Sequence, residues 1–153
     1  MESANISIQI KQLNVQDIKI AQQLFFLFSE VFENESPSIS SESHIRKLLL
    51  NPGFIVYAAI HENEIIGGLT AYELQMYHSD SAEIFIYDIA VTQKYQRRGV
   101  GKKLLESIQE YCRKNGITEM FVSANEEDQH ALDFYQATGG MAEKVFNFTY
   151  NIN

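Results

Sequence analysis

The chain has 153 residues, a formal net charge of −8 and a pI near 4.9. That balance repels nucleic acid and anionic membrane at long range, leaves cationic ligands favoured, and is also common in proteins that are acidic only for solubility. One cysteine, Cys112, excludes an internal disulfide. The four histidines, His44, His61, His78 and His130, lack metal-ligand spacing, so no metal is assigned.

The length suits a single domain over 1–153, able to bury roughly 70% of the surface that its unfolded chain exposes. Met1 to Gln12 has no signal-peptide pattern, and no apolar run approaches roughly 18 residues. The expectation is a soluble chain of a reducing compartment, the cytoplasm.

Ile6 to Leu13 alternates as an opening strand, with Ser7 and Gln9 on its wet side. A helix should follow, capped by Asp17, with Ile18, Ala21, Leu24, Phe25, Phe28, Val31 and Phe32 along one stripe. Asn34 to Ser43, with Pro37, breaks the pattern, and Ser43 can cap a short helix through Leu50. After the turn Asn51-Pro52-Gly53, Phe54 to Ile60 and Glu64 to Leu74 read as a hairpin joined at His61-Glu62-Asn63. Glu83 to Thr92 is nearly continuously apolar through Val91, as expected of a central strand covered on both faces.

The positions Val100, Leu104, Leu105, Ile108, Tyr111 and Cys112 predict a helix from Gly99 to Asn115, stopped by Asn115-Gly116. Cys112 belongs to this stripe and reads as packing. Ile117 to Ser123 is a short strand. Asp128 to Thr138 is a last helix with Ala131, Leu132 and Tyr135 inward, and Gly139-Gly140 precedes a strand pair containing Val145 to Tyr150. The fold class is α/β, one mixed and mostly antiparallel sheet with helices on its faces.

The segment with a chemical message is Gln96-Arg97-Arg98-Gly99-Val100-Gly101-Lys102. Glycines let the backbone approach a diphosphate, and the first-turn N–H groups of the helix that starts there are unpaired at its positive end. Arg97, Arg98, Lys102 and Lys103 put four of the chain's 12 Lys and Arg residues into seven positions. The same residues also suit a tight surface turn. The third glycine of the Rossmann fingerprint and the Ser or Thr of a P-loop are both missing.

These residues resemble the pyrophosphate signature of the GNAT acetyltransferases: Arg or Gln, any, any, Gly, any, Gly or Ala. Asp88-Ile89-Ala90-Val91 is similar to the strand before that signature, and Ala131 to Gly139 to the family's later helix with its tyrosine. Phe54 to Leu74, with Gly67-Gly68-Leu69, followed by Glu83 to Val91, is similar to the aminoglycoside 3-N-acetyltransferases. Thr138-Gly139-Gly140-Met141 departs from the family's commoner ending, and Glu126-Glu127-Asp128-Gln129-His130 differs in detail from the subfamily's acidic loop.

The resemblance implies the GNAT fold, acetyl-CoA as cofactor and CoA as product, a small cationic amine as substrate, and is compatible with a homodimer. It implies that Gln96, Arg97, Arg98, Gly99, Val100, Gly101 and Lys102 hold the pyrophosphate. It implies that Ile89, Ala90 and Val91 lie along the pantetheine arm, with Asn125 reading equally as a further contact or as the cap of a turn. Asp88 breaks an apolar run where a charge is costly unless paired or in a cleft, and reads as the base or as a satisfied structural carboxylate. Tyr135 corresponds to the family's tyrosine that protonates the leaving thiolate; packing alone would also place an aromatic there.

Glu83, Tyr87, Asp88, Glu126, Glu127 and Asp128 are the candidate substrate contacts, the last three reading equally as a solvated acidic loop. Three functions stay open at this stage: acetylation of an aminoglycoside at its 3-amino group, acetylation of another amine, and a non-catalytic acyl-CoA-binding module.

Overall fold

The computed structural model describes residues 5–33 and 39–153. The first four residues, and residues 34–38 of the break expected over Asn34–Ser43, lie outside this description. The chain forms two compact units, Met1–Ser123 and Ala124–Asn153.

In the first unit β1 (Gln9–Gln12) leads through a 3-10 turn, Val15–Asp17, to α1 (Ile18–Val31) and α2 (Glu42–Leu50). Then follow β2 (Phe54–His61), β3 (Glu64–Gln75), β4 (Ala82–Val91), a second 3-10 turn at Gln93–Tyr95, α3 (Val100–Lys114) and β5 (Met120–Val122). The sheet runs in the order β1-β2-β3-β4-β5. Its first three pairings are antiparallel, and β4 with β5 is parallel. This is the mixed, mostly antiparallel α/β sheet that the patterning predicts.

Alternation along the strands sends side chains to two cores. Ile55, Leu69, Ile84 and Ile86 meet Leu104 and Ile108 of α3, while Val56, Ala58 and Ala90 meet Leu24 and Phe28 of α1 and Ile45 of α2. The β2–β3 loop has only two residues, Glu62 and Asn63, at φ 48° and 65°, the left-handed pair of a type I′ hairpin whose twist matches the strands it joins. Tyr111 Oη donates to Glu73 Oε2 at 2.6 Å, tying α3 to β3. Burial and the Glu73 carboxylate push that phenol well above its ordinary range.

Several local expectations shift. Asp17 is the residue before α1, but its carboxylate caps nothing there; it accepts from the Asn14 N–H at 2.9 Å and from Lys11 Nζ at 2.8 Å. Two nearer donors outcompete the first-turn amides. Those contacts, led by Lys11, hold the carboxyl below its usual value. The cap of α2 is Ser41, which accepts from the His44 N–H, so Ser43 lies already inside the helix.

β4 is interior but not the middle strand, which is β3, and it is not covered on both faces. α3 covers Ile84 and Ile86, whereas α1 reaches the other face only at Ala90, leaving Tyr87 62% exposed.

In the second unit α4 (Gln129–Ala137) is capped by the Asp128 carboxylate, which accepts from the Ala131 N–H at 3.1 Å. Ala131, Leu132 and Tyr135 are half-buried. The expected strand pair over Val145–Tyr150 is not formed: residues 141–153 hold neither helix nor strand, and Phe146, Phe148 and Tyr150 are exposed. Their apolar alternation is real, but alternation alone makes no strand, which also needs a hydrogen-bonded neighbour.

Gly68 sits where α1 presses on the sheet. A Cβ there would overlap the Leu24 methyls and lie 2.8 Å from the Tyr57 carbonyl oxygen, so only glycine fits. Gly68→Ala is expected to cost about 1–3 kcal/mol by overpacking, read as a fall of several degrees in thermal unfolding; an unchanged midpoint would show that α1 is free to shift.

Candidate active site

The site begins where β4 loses a neighbour. β5 pairs with Ile84–Ile86 only, so from Tyr87 to Val91 that edge of β4 has no strand partner among the described residues. The direction of its backbone groups follows from one bond: the Thr92 N–H donates to the Ile66 carbonyl of β3 at 2.9 Å. By antiparallel alternation Ala90 also turns its backbone toward β3, and Ile89 and Val91 turn theirs to the open edge. The Val91 carbonyl there accepts from Gln96 Nε2 at 3.0 Å. Ala90's side chain lies in the core beneath α1.

A β-bulge interrupts the same strand. Thr70 faces Asp88 and Ala71 faces Ile86, so Tyr87 is the extra residue. Ile86 and Ile89 pack on the α3 side, and both residues between them, Tyr87 and Asp88, fall on the opposite face. The Asp88 carboxylate makes no hydrogen bond or ion pair with the described residues, and burial pushes it above its usual range. Tyr72, two residues from Thr70, is pushed up by burial and then by Tyr87 and Asp88.

Five rings cross this face from β2 to β5. Phe54 lies 5.2 Å from Tyr72, Tyr72 5.9 Å from Tyr87, Tyr87 5.8 Å from Phe85, and Phe85 4.9 Å from Phe121. Glu83 shares the alternation of Phe85 and Tyr87 and is half-buried at the row's far end. Thr70, Tyr72 and Phe85 escape sequence reading, because only the strand register brings them beside Asp88.

Beyond β4 the chain tightens into the signature segment. Arg97 at φ 61° and Gly99 at φ 80° are both left-handed. A Cβ at Gly99 would meet nothing within 4 Å, so the dihedral and not space requires glycine there. No side chain caps α3, and the N–H groups of Val100, Gly101 and Lys102 lack intrahelical acceptors. The Arg98 guanidinium sits 5.7 Å from the ring of buried Tyr95, with Lys94 Nζ at 5.2 Å. Arg97, Arg98, Lys102 and Lys103 form no ion pair among the described residues. Free amides and unpaired cations at one helix end fit a diphosphate.

Asn125, Glu126, Glu127, Asp128 and Tyr135 belong to the second unit. The Asn125 carbonyl accepts from the Asp128 N–H at 3.0 Å. The Asp128 carboxylate is engaged as the cap of α4, while Glu126 and Glu127 are exposed. The Tyr135 ring meets Phe134 edge-on at 5.3 Å. Cys112 is buried under α3, and its thiol is pushed up by that burial, which suits packing and not nucleophilic chemistry. No group of three His, Cys, Asp or Glu able to hold a metal occurs among the described residues, and none of their helices is long and apolar enough to cross a membrane.

Residues 21–140 fit the acetyltransferase (GNAT) family. The chain belongs to that family. Among solved structures it is similar to the aminoglycoside acetyltransferase meta-AAC0020 from an uncultured soil metagenomic sample, crystallised in complex with sisomicin. Identity is 39%, with a TM-score of 0.93, over 95% of this chain and 97% of that one.

Among curated proteins it is similar to the uncharacterised YxbD of Bacillus subtilis, 30% identical over 59% of this chain and 52% of the relative. It is also similar to the ribosomal protein bS18-alanine N-acetyltransferase of Escherichia coli K12, 29% identical over 48% of each. The match thus spans about half the length of these two curated relatives.

The buried Asp88 carboxyl has a consequence for stability. Its folded-state pKa is raised, so the folded chain binds this proton more tightly than the unfolded chain. Its penalty is absent below the ordinary carboxyl value of about 4, grows as pH rises through the raised value, and is complete above it. Asp88→Asn should therefore raise the melting temperature at pH 8 and leave it unchanged near pH 3; calorimetry finding the same difference at both pH values would contradict this.

Proposed function

We propose that this chain is an acetyl-CoA-dependent N-acetyltransferase, one domain over 1–153, whose acceptor is an amino group of an aminoglycoside. The observation that carries the reading is the direct succession, within a few residues, of an open strand edge, a half-buried unpaired carboxylate and an uncapped cationic helix start. Acetyl-CoA, when bound, supplies the acetyl group as an activated thioester.

The N–H groups at Gly99 to Lys102, with Gln96, Arg97 and Arg98 around them, hold the pyrophosphate. The outward backbone groups of Ile89 and Val91 pair with the pantetheine arm, to which Asn125 is a further contact. The Ile89 N–H polarises the thioester carbonyl. Asp88, directly or through a water, would take the proton that the substrate's ammonium loses before the neutral amine attacks, and Tyr135 would give a proton to the thiolate released as the C–N bond replaces the C–S bond.

The net charge of −8 and the carboxylates Glu83, Asp88, Glu126, Glu127 and Asp128 favour a polycation, and Tyr87 offers a ring to its ammonium groups. The likeness to meta-AAC0020, solved with sisomicin, supports an aminoglycoside, and the subfamily resemblance of Phe54 to Val91 points to the 3-amino group. A second reading, acetylation of a protein's terminal amine, takes its support from the bS18-alanine N-acetyltransferase likeness.

Incubation with acetyl-CoA and a panel containing gentamicin and sisomicin should release free thiol, and the mass and NMR spectra of the product identify the amino group. No thiol release with any aminoglycoside rejects the first reading; turnover of a peptide alone establishes the second. Lys102→Glu is expected to weaken acetyl-CoA binding about tenfold or more, the size of one lost charge-assisted contact, as measured by calorimetry.

A further inference from the structure

Thr70 is 5% exposed, and its Oγ1 is the buried side-chain oxygen that finds no hydrogen-bond partner among the described residues. Leaving such a hydroxyl dry costs about 1–3 kcal/mol, and most buried polar groups in folded proteins avoid it. Thr70 stands directly opposite Asp88 across the β3–β4 pair. Residues so paired have Cβ atoms about 4.5–5.5 Å apart on the same side of the sheet. The Asp88 carboxylate is equally without a hydrogen-bond partner. Two polar groups side by side, each without a hydrogen-bond partner among the described residues and neither bonded to the other, leave bonding capacity that a third participant can meet. A buried water needs two to four polar partners, and a hydroxyl, a carboxylate and an incoming amine meet that need.

We propose that Thr70 is a positioning residue whose hydroxyl, together with the Asp88 carboxylate, holds one water molecule through which the acceptor amine is deprotonated. The amine's proton passes to the water as nitrogen attacks, the water's own proton passes to Asp88, and the water is restored. The bulge at Tyr87 makes this arrangement, since it brings Asp88 into register with Thr70 on the face away from α3. The other titratable groups at this place are the phenols of Tyr72 and Tyr87. From the helix side α1 packs Leu24 and Phe28 into the core on this face of the sheet.

The catalytic part of this inference rests on the acetyltransferase reading, whereas the pairing of Thr70 with Asp88 does not, and the test separates them. In the full chain without substrate, the Asp88 carboxyl carbon is titrated by NMR in wild type, Thr70→Val and Thr70→Ser. Valine removes the anchored donor to the ionised carboxylate, so the midpoint should rise by roughly half a unit or more, and serine should restore it. With an amine that the wild type acetylates, Thr70→Val should lose roughly tenfold or more in kcat while KM for acetyl-CoA holds, again with rescue by serine.

An Asp88 midpoint unmoved by Thr70→Val overturns the proposal whether or not a substrate is known. So does an unmoved kcat. If the wild type acetylates no amine, the functional reading fails while the titration still decides the pairing.

Discussion

The structure turns on a strand that is paired along its whole length on one side and for only three residues on the other. β4 is bound to β3 from Ala82 to Val91, while β5 meets it only at Ile84–Ile86. Past that point the backbone of Ile89 and Val91 has hydrogen-bonding capacity directed at no strand. A sheet edge left open inside a protein is a liability unless something regularly fills it. Here the chain guards one group itself, with Gln96 reaching back to the Val91 carbonyl, and no strand among the described residues pairs with the rest. The bulge at Tyr87 belongs to the same constraint, because it sets Asp88 beside the open stretch instead of beneath α3.

Electrostatics sharpen this geometry. Lys11, Arg46 and Arg113 pair with carboxylates. The four cations gathered at the start of α3 form no ion pair among the described residues. Their charges add to the positive end of the helix instead of being neutralised, while the carboxyl at Asp88 is left without a cation in a half-buried place. A site that attracts a diphosphate at one end and an ammonium at the other needs this separation of unpaired charges.

Such groups are costly, and the surrounding framework bears the cost. Arg97 in the left-handed region, the dry Thr70 hydroxyl and the unpaired Asp88 each oppose folding by an amount on the order of 1 kcal/mol or more. Against them stand the close approach of α1 at Gly68, the two apolar cores and the Tyr111–Glu73 bond that fixes α3 to β3. Local rules of propensity and satisfaction fail mainly at the site and hold elsewhere, as expected where function has been placed on a rigid sheet.

Much of this could be read from the chain itself, because the interactions concerned are short-range. The apolar spacing of α1 and α3, the two-residue hairpin at Glu62-Asn63, the left-handed stop at Gly116 and the Gln96–Gly101 turn all depend on residues a few positions apart. Even so, neighbouring groups compete for the same caps. Asp17 went to Asn14 and Lys11, and Ser41 displaced Ser43, since one residue's shift changes which amide is in reach.

The strand over Val145–Tyr150 did not follow from its alternation, because pairing requires a partner that the pattern cannot name. The register that sets Thr70 against Asp88 and the row of rings from Phe54 to Phe121 depends on contacts between strands 15 to 36 residues apart in the chain, and on where β5 stops. The sequence by itself determined the helices, the turns and the glycine-bearing cationic segment that opens α3, for their physics is local; the tertiary structure alone decided which polar groups were left facing one another without a partner, for that depends on how distant strands align.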